Sequence, residues 1–457
     1  MFKSITNRVK MSQLCHSSIT ASRINLMDLG NHYSYPLTPS GSVESINVST
    51  RKTIKQAIFE KITTITKAGP QLEPSPFYVC DLGELKRQLG LWNQVLPFVK
   101  PYYAVKCNPN AKFVETLIKF GNVGFDCASL DEIRTVCHIY ESLGYSTADF
   151  KDNVIYANPV KPVSHLLYAN NKNINLTTVD SIEEVEKIAK FTNGRMNVLI
   201  RITTDDSTAT CPLSVKFGAD LRYSCQIVQR CLDLGIRIRG IAFHCGSGFK
   251  DPSTLIKAVS DSRKLWDHIN TRQYEDCDVL DVGGGFSKDS FLEPAVVLRN
   301  ELLEKFGNRI NDGSIKVISE LGRFLTASVY TLTTNVIGVR NELDSNKVRV
   351  YLNDGLYGNL NCILYDHQEV EPVVTTSAGN FVYHDAEERE PNKRQYSLWG
   401  PTCDGLDCVV KKTQLSHHVQ CGDWISFENC GAYTNAAATT FNGFTNEFEC
   451  IYVDSEI

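Results

Sequence analysis

Short β-branched and aromatic segments alternate with longer segments of helical periodicity through the middle of this 457-residue chain. A short apolar run followed by an amphipathic helix is typical of a βα unit, and repeated βα units build a parallel sheet. Eight consecutive units are the number that closes a (β/α)8 barrel, which is the α/β fold predicted here. The predicted strands cover residues 102–106, 123–127, 153–158, 175–180, 197–203, 239–244, 279–283 and 316–320.

The pattern changes on either side of this region. Beyond about residue 325, short alternating runs such as VRVYLND and DWISFEN are separated by Gly, Asn and Asp, which indicates an antiparallel β domain. At the other end, the first 45 residues are rich in Ser, Thr and Asn, which is typical of a disordered tail. We therefore predict a tail over 1–45, a separate segment over 46–75, the barrel over 76–324 and the β domain over 325–457.

Composition excludes several classes of partner and site. The net charge is −5 and Lys and Arg are scattered, so we expect no nucleic-acid surface. No run of about 18 apolar residues and no secretory signal is evident, so we expect no membrane span and a cytoplasmic location. The basic, Ser-containing N-terminus leaves a mitochondrial location as the alternative. The 16 cysteines lack a metal-ligand spacing, so we expect no metal site and no disulfide framework.

Polar residues end most of the predicted barrel strands, namely Lys106, Asp126, Arg201, His244 and Glu320. Barrel enzymes build their sites at this end of the strands. Since Lys106 follows the apolar segment PYYAV, we expect desolvation and nearby cations to lower its pKa, which would suit Schiff-base formation. A solvated lysine on the rim is the alternative.

Two further segments at the same rim suit a phosphate. In VLDVGGGF, Gly283, Gly284 and Gly285 follow a predicted strand, where bare backbone N–H groups can cradle an anion, although tight turns also use such glycines. Arg323 lies three residues after Glu320 and supplies a guanidinium. A lysine for an aldehyde, donors for a phosphate and an acid for a pyridine nitrogen together predict pyridoxal phosphate. A dinucleotide fits less well, because the GxGxxG spacing is missing.

The segment WGPTCDGLD places Cys403 close to Asp404 and Asp407 in a turn-rich stretch. A thiol can give a proton to a carbanion, and a neighbouring carboxylate can bind a cationic amine. The combination favours chemistry on a diamino substrate. A buried cysteine beside an aspartate turn is the alternative, since free cysteines are often buried.

Ten segments resemble, in order, motifs of the eukaryotic ornithine decarboxylase family, over roughly residues 76–445. They are PYYAVKCNP, GFDCAS, IRITTDDS, LSVKFGA, HCGSG, DVGGGF, ELGR, YGNLNCILYDH, WGPTCDGLD and FENCGAYT. The family belongs to the fold-type III, alanine racemase-like pyridoxal-phosphate enzymes. The resemblance implies a carbon–carbon lyase that converts L-ornithine to putrescine and CO2, the first step of polyamine synthesis. It also implies that residues 46–75 join the β domain.

The resemblance assigns cofactor roles to individual residues. Lys106 matches the Schiff-base lysine, Glu320 matches the acid beside the pyridinium nitrogen, and His244 matches the residue stacked on the ring. The surrounding polar network matches Asp126, Glu132 and Arg201. The phosphate-binding set matches Ser247, Gly283, Gly284, Gly285, Arg323 and Tyr433.

Substrate roles are implied in the same way. Cys403 matches the thiol near the substrate α-carbon, and Asp366 and Asp404 match the carboxylates that receive the distal ammonium. Tyr357 and Tyr365 lie in the matching segment near the site. In the family, Cys403 and Asp404 would come from the second subunit of a head-to-tail homodimer, so that each site would be completed across the interface.

Two other functions fit parts of the pattern. One is a catalytically inactive relative that binds antizyme, but such proteins lose cofactor contacts and this chain retains the residues named above. The other is a related decarboxylase that prefers lysine or arginine. One extra methylene changes binding by only about 1 to 3 kcal/mol, so lysine is expected as a poor substrate. Whether an antizyme binds this protein is left open.

Overall fold

The structure is a computed structural model that describes residues 52–69, 74–273, 275–385, 394–444 and 448–455. The predicted tail over residues 1–45 lies outside the described residues. The strands are β1 (Phe77–Asp81), β2 (Val99–Ala104), β3 (Gly124–Cys127), β4 (Val154–Tyr156), β5 (Leu176–Val179), β6 (Asn197–Arg201), β7 (Ile238–Ala242), β8 (Val279–Asp281), β9 (Lys316–Leu321), β10 (Tyr330–Asn341), β11 (Lys347–Leu352), β12 (Pro372–Val374), β13 (Thr376–Ser377), β14 (Asn380–Phe381), β15 (Gln395–Trp399), β16 (Cys408–Thr413), β17 (Trp424–Phe427) and β18 (Glu449–Val453).

Most of the helices connect the strands of the first of the two sheets described below, whereas α1 packs against the second sheet. They are α1 (Ile54–Ala68), α2 (Leu82–Val95), α3 (Ala111–Phe120), α4 (Leu130–Ser142), α5 (Thr147–Phe150), α6 (Val163–Asn171), α7 (Ile182–Thr192), α8 (Leu221–Asp233), α9 (Ser253–Asn270), α10 (Leu292–Asn311), α11 (Arg323–Thr326) and α12 (Cys362–Tyr365). Short 3-10 turns include Val105–Cys107 and Phe441–Gly443. Within the described residues, no helix is both long and apolar enough to cross a membrane.

Strands β2 to β9 form a closed parallel barrel in chain order, which confirms the predicted (β/α)8 fold. Tyr102, Ile155, Leu199 and Ile318 belong to a separate apolar cluster of barrel-strand residues. Other apolar residues of the strands pack with the surrounding helices in the main core. Apolar residues on both faces of short strands are typical of a parallel sheet buried on both sides.

The second sheet is built around β10 and has the order β12-β17-β10-β11-β15-β16. In addition, β1 pairs with β10, and β18 pairs with β1. Most of its pairs are antiparallel as predicted, but β11 pairs parallel with β15 and β1 pairs parallel with β18. The sheet is therefore mixed. Two parallel pairs require long connections, and such pairings between distant segments leave no local sequence signal.

The first described segments belong to this second sheet. Strand β1, which falls inside the predicted barrel range 76–324, pairs with β10 and β18. Helix α1 buries Ala57, Ile58 and Ile62 in a cluster with Phe77 and Trp424. Its capping box at Thr53 fixes where the helix begins. The limits of the four predicted domains stay a prediction.

Candidate active site

Lys106 and Asp126 meet at one end of the barrel. Lys106 lies in the 3-10 turn that follows β2, and Asp126 lies near the end of β3, where Ala104 pairs with Asp126. The Lys106 Nζ is in direct contact with the Asp126 carboxylate. The lysine side chain is still 41% accessible, so its amine lies at an open site rather than in the core. The other oxygen of Asp126 is buried and, among the described residues, has no hydrogen-bond partner.

The expected lowering of the Lys106 pKa is wrong. Burial lowers the pKa of Lys106, but the negative charges of Asp126 and Glu320 outweigh burial and raise it overall. The sequence shows that a lysine ends an apolar strand, but not that two carboxylates surround it. To bond to an aldehyde the ammonium must lose a proton, and Asp126 is the base in contact with it.

A second carboxyl group lies beside Glu320. Glu320 is near the end of β9 and Asp281 ends the neighbouring strand β8. Burial raises the pKa of Glu320 well above its ordinary value, and the nearby Asp281 and Asp126 raise it further. Burial also raises the pKa of Asp281. Two carboxyls buried together cannot both ionise cheaply, and the cations Lys106 and Arg201 offset only part of that cost, so the pair tends to retain a proton.

Asp281 is a site residue that the sequence analysis missed. One of its oxygens accepts a hydrogen bond from the Gly283 N–H at 2.9 Å, and the other is buried and accepts no hydrogen bond from an N–H group of the described residues. Its position two residues before the glycines in DVGGGF was the available signal. The pair of Asp281 and Glu320 makes this part of the rim strongly acidic, which suits a cationic ring nitrogen.

His244 follows β7 and presents a neutral ring. Burial and the cations Arg201 and Lys106 lower the pKa of His244 to about 3. Its Nδ1 accepts a hydrogen bond from the Gly246 N–H at 3.0 Å, which leaves the ring proton on Nε2. A neutral imidazole held in this way can stack on a flat aromatic ring without adding a charge.

The glycine triplet lies where backbone segments approach one another closely. A side chain at Gly283 would overlap the Phe243 carbonyl oxygen, and one at Gly284 would overlap the Glu320 carbonyl oxygen. The tight-turn explanation for these glycines therefore holds. The phosphate explanation also fits, because within the described residues no acceptor takes a hydrogen bond from the backbone N–H of Gly284 or Gly285.

Arg323, Ser247 and Tyr433 come together next to the triplet. Arg323 begins α11, and its Nη2 lies 3.3 Å from the Ser247 hydroxyl. Its guanidinium lies over the Tyr433 ring at 5.3 Å. Tyr433 has a left-handed backbone with φ 54° and donates its N–H to the carbonyl of Cys107, the residue after Lys106. A guanidinium, two hydroxyls and bare backbone N–H groups are a donor set that fits a phosphate.

Asp366 is engaged by the same arginine. Arg323 Nη2 lies 2.6 Å from the Asp366 carboxylate. Gln368 Nε2 donates to this carboxylate at 3.0 Å, and the Cys211 thiol lies 3.8 Å from it. Neither Gln368 nor Cys211 was predicted from the sequence. The residue predicted to receive a substrate ammonium is thus joined to one predicted to bind phosphate.

Arg201 and Glu132, two residues of the predicted polar network, contact the elements that surround the site. Arg201 ends β6, is buried, and lies over the Phe217 ring at 5.3 Å. Glu132 accepts a hydrogen bond from the Ala128 N–H at 2.8 Å, and its pKa is raised by burial. Glu132 therefore holds the loop that follows β3, and Asp126 lies in β3 itself.

The Cys403 loop connects β15 and β16 of the second sheet. The Tyr357 hydroxyl donates to the Asp404 carboxylate, and this contact raises the pKa of Tyr357 to about 12 and lowers the pKa of Asp404. Cys403 is exposed. Asp407 is buried and accepts hydrogen bonds from the Leu356 N–H at 2.8 Å and the Thr402 hydroxyl at 2.7 Å. Asp407 therefore holds the loop in shape, while Asp404 faces a tyrosine hydroxyl.

Among the described residues, hydrogen bonds and ion pairs do not connect this loop to the residues of the barrel rim. In the described part of the chain, no hydrogen bond or ion pair links Cys403 or Asp404 to Lys106, Glu320 or Arg323. Tyr365 ends α12 next to Asp366 and is 63% exposed. The described residues hold no group of three or more His, Cys, Asp or Glu that could bind a metal ion.

Comparisons with known proteins agree with this geometry. A family model described as the pyridoxal binding domain of pyridoxal-dependent decarboxylases matches residues 82–327. The chain is 43% identical to the ornithine decarboxylase of Candida albicans over 88% of either chain. It is 40% identical to the ornithine decarboxylase of Mus musculus, over 86% of this chain and 83% of the mouse protein.

A solved structure shows the same architecture. The arginine decarboxylase of Paramecium bursaria Chlorella virus, bound to agmatine, matches with a TM-score of 0.75 and 28% identity. The match covers 86% of this chain and all of the viral chain. Sequence, fold and rim geometry lead to one conclusion. The chain belongs to the ornithine decarboxylase family of pyridoxal-dependent decarboxylases.

Proposed function

We propose that this protein decarboxylates L-ornithine to putrescine and CO2 with pyridoxal phosphate as cofactor. The observation that carries the proposal is the set of groups on one barrel rim: an amine at Lys106, a buried acid at Glu320 and the Arg323–Asp366 ion pair. Relatives at 40 to 43% identity named ornithine decarboxylase support the same substrate.

Different residues at the rim would bind different parts of the cofactor. Lys106 would hold the aldehyde, Glu320 the ring nitrogen and His244 the ring face, while Asp126 and Arg201 surround the amine and the ring. The phosphate would lie against Ser247, Gly283, Gly284, Gly285, Arg323 and Tyr433. When bound, pyridoxal phosphate accepts the electron pair that the departing carboxylate leaves behind.

The chain's own groups control the protons of the reaction. Asp126 is placed to take a proton from the Lys106 ammonium, so that the amine can bond to the aldehyde and later be displaced by the substrate amine. Glu320 and Asp281 form a buried acidic pair that favours a protonated ring nitrogen, because a cation there relieves their repulsion. The low pKa of His244 keeps its ring neutral, so the imidazole does not compete with the pyridine nitrogen for a proton.

The substrate side combines two carboxylates with a thiol. Asp366 and Asp404 would bind the distal ammonium, and Tyr357 and Tyr365 would line its path. Cys403 would give its proton to the α-carbon once CO2 has left. A carboxylate pair suits a cationic amine at the end of the chain, whereas the uncharged side chain of another amino acid would bring no positive charge to either carboxylate.

A homodimer would bring the two halves of the site together. Cys403 and Asp404 have their contacts within their own loop region, and that region is apolar as well as exposed: Leu406 is 67% and Phe441 44% exposed. Such residues suit an interface with a second copy. Antizyme binding stays a prediction. We also propose a cytoplasmic location, with a mitochondrial one as the alternative, and fractionation of cells decides between them.

Turnover of three substrates tests the function directly. Purified protein with pyridoxal phosphate is expected to release CO2 from ornithine faster than from lysine or arginine, and to show the visible absorbance of bound pyridoxal. Lys106→Ala should abolish both the absorbance change and turnover, while Cys403→Ala should keep the absorbance and lose putrescine formation. A colourless protein that releases no CO2 would instead support the inactive relative, and a faster rate with arginine would reassign the substrate.

A further inference from the structure

The turn over residues 439–443 contacts both functional residues of the Cys403 loop. Asn442 Oδ1 accepts a hydrogen bond from the Cys403 backbone N–H at 2.9 Å. Within the described residues, Asn442 is the only hydrogen-bond partner of Cys403. Asn442 has φ 57° and ψ 14°, a left-handed conformation that asparagine tolerates better than most residues.

The same turn also holds the tyrosine that contacts Asp404. The Phe441 ring stacks on the Tyr357 ring, with centroids 4.5 Å apart and an interplanar angle of 28°. The Thr439 N–H donates to the Tyr357 carbonyl at 2.8 Å, and the Tyr357 hydroxyl donates to Asp404. The turn therefore has separate contacts for the adjacent residues Cys403 and Asp404.

Cys403 needs such a support because its loop is open to solvent. Cys403, Gly405 and Leu406 are exposed, and the buried Asp407 holds the loop from one side only. A thiol that transfers a proton to carbon must approach that atom from a fixed direction, and a displacement of about 1 Å can cost on the order of a hundredfold in rate.

We propose that Asn442 is a positioning residue that fixes the direction from which the Cys403 thiol protonates the substrate α-carbon. The inference rests on the proposed function. In that step the bond between the α-carbon and the carboxylate breaks, CO2 leaves, and the electron pair stays behind. The thiol proton then forms the new C–H bond, and the thiolate takes a proton from water.

Two substitutions separate the hydrogen bond from the backbone conformation. Asn442→Gly removes the acceptor and suits the left-handed backbone, so it adds no strain. Asn442→Asp retains an oxygen at the same distance and also tolerates φ above zero. Asn429→Gly is the matched control, because Asn429 is exposed and has φ 56° but, among the described residues, forms no hydrogen bond with the Cys403 loop.

The readout is putrescine formed per CO2 released from ornithine. The natural chain is expected to give one putrescine for each CO2, and Asn429→Gly should do the same. In Asn442→Gly we expect putrescine formation to fall by about tenfold or more, with a ratio clearly below one, because the proton reaches another atom. KM for ornithine should change less than about twofold, since Asp404 is held by Tyr357, and Asn442→Asp should restore the ratio.

Failure of the inference and failure of the proposed function look different. If Asn442→Gly keeps the rate and the one-to-one ratio, the positioning role is overturned while ornithine decarboxylation stands. A loss that Asn442→Asp does not restore also overturns it. A natural chain that releases no CO2 from ornithine overturns the proposed function itself. If Asn442→Gly is not recovered folded, Asn442→Ser, whose hydroxyl is too short to reach the Cys403 N–H, gives the same comparison.

Discussion

At the scale of residues, Arg323 connects two parts of the site that recognise opposite charges. Its guanidinium lies between the Ser247 hydroxyl and the Asp366 carboxylate, and the pair is largely buried. A phosphate near Arg323 would experience the negative charge of Asp366 as repulsion. The same phosphate would draw the guanidinium away and leave Asp366 a better acceptor for an ammonium group.

We predict that Asp366→Asn strengthens binding of pyridoxal phosphate to the cofactor-free protein by about threefold to tenfold, because one like charge is removed from a buried site. The measurement is a titration followed by absorbance. Asp404→Asn is the matched control, since Asp404 contacts Tyr357 and not Arg323. Both variants should lose ornithine turnover, but only Asp366→Asn should change the affinity for the cofactor. Equal or weaker binding by Asp366→Asn would contradict the coupling.

The buried acid pair predicts how stability depends on pH. Folding raises the pKa of Glu320 above its ordinary value, so the folded protein binds more protons than the unfolded chain, and stability falls as pH rises above about 4. Each unit of that rise corresponds to about 1.4 kcal/mol. Glu320→Gln should therefore raise the thermal midpoint of the cofactor-free protein more at pH 7.5 than at pH 5.

The control for this prediction is Glu293→Gln, which changes an exposed glutamate and should alter the midpoint equally little at the two pH values. A Glu320→Gln variant with the same pH dependence as the natural chain would show that the acid pair loses its proton at no cost. Bound pyridoxal phosphate should reduce the difference, because a protonated ring nitrogen would offset the charge of Glu320.

At the scale of elements, the connection after β8 is determined by contact between backbones. A Cβ on Gly284 would overlap the Glu320 carbonyl oxygen, so the loop can lie on β9 only if this residue has no side chain. The same closeness brings the backbone N–H groups to the site of the predicted phosphate. One glycine thus serves both the packing of the rim and its chemistry.

Two glycine substitutions should therefore have opposite effects. Gly284→Ala is expected to abolish binding of pyridoxal phosphate and to lower the thermal midpoint by several degrees, because backbone must move to accommodate the methyl group. Gly307→Ala, inside α10 with open space around it, should stabilise the protein by roughly 0.5 to 1 kcal/mol. Cofactor titration and thermal unfolding measure both. Normal cofactor binding by Gly284→Ala would show that the loop can shift freely.

At the scale of the whole molecule, we propose that the site is completed by two copies of the chain. Lys106 belongs to the barrel and Cys403 to the region of the second sheet, and no hydrogen bond or ion pair of the described residues joins them. Each subunit would supply a rim to one site and a thiol loop to the other. A subunit that lacks Lys106 would still supply Cys403 to the site on the other subunit's rim. A subunit that lacks Cys403 would still supply Lys106 to the site on its own rim.

Mixing two inactive variants tests this arrangement. Lys106→Ala and Cys403→Ala are each expected to form little putrescine alone, whereas an equal mixture allowed to exchange subunits should regain about a quarter of the natural activity. Half of the dimers would be mixed, and each would hold one intact site. Mixing each variant with itself is the control. No recovery, although mixed dimers form, would mean that both groups act within a single subunit.

Local patterns predicted much of the fold and drew attention to several residues that the structure places at the barrel rim. The eight barrel strands lie where short apolar runs were found, because strand and helix periodicity is set by neighbouring residues. The parallel pairings of β1 with β18 and of β11 with β15 could not be predicted, since their partners are far apart in the chain. Gln368 was missed because a single amide has no local signature, whereas Asp281 was missed although it stands two residues before the glycine triplet.

The sequence by itself determined the order of the βα units and the kinds of group available to the site: an amine, acids, glycines, a guanidinium and a thiol. Only the tertiary structure decided how these groups act on one another. It placed two carboxylates beside Lys106 and so reversed the expected shift of its pKa, and it separated Asp404 from the structural Asp407. The reason is physical, because charge interactions depend on distance and burial, and neither can be read from the order of residues.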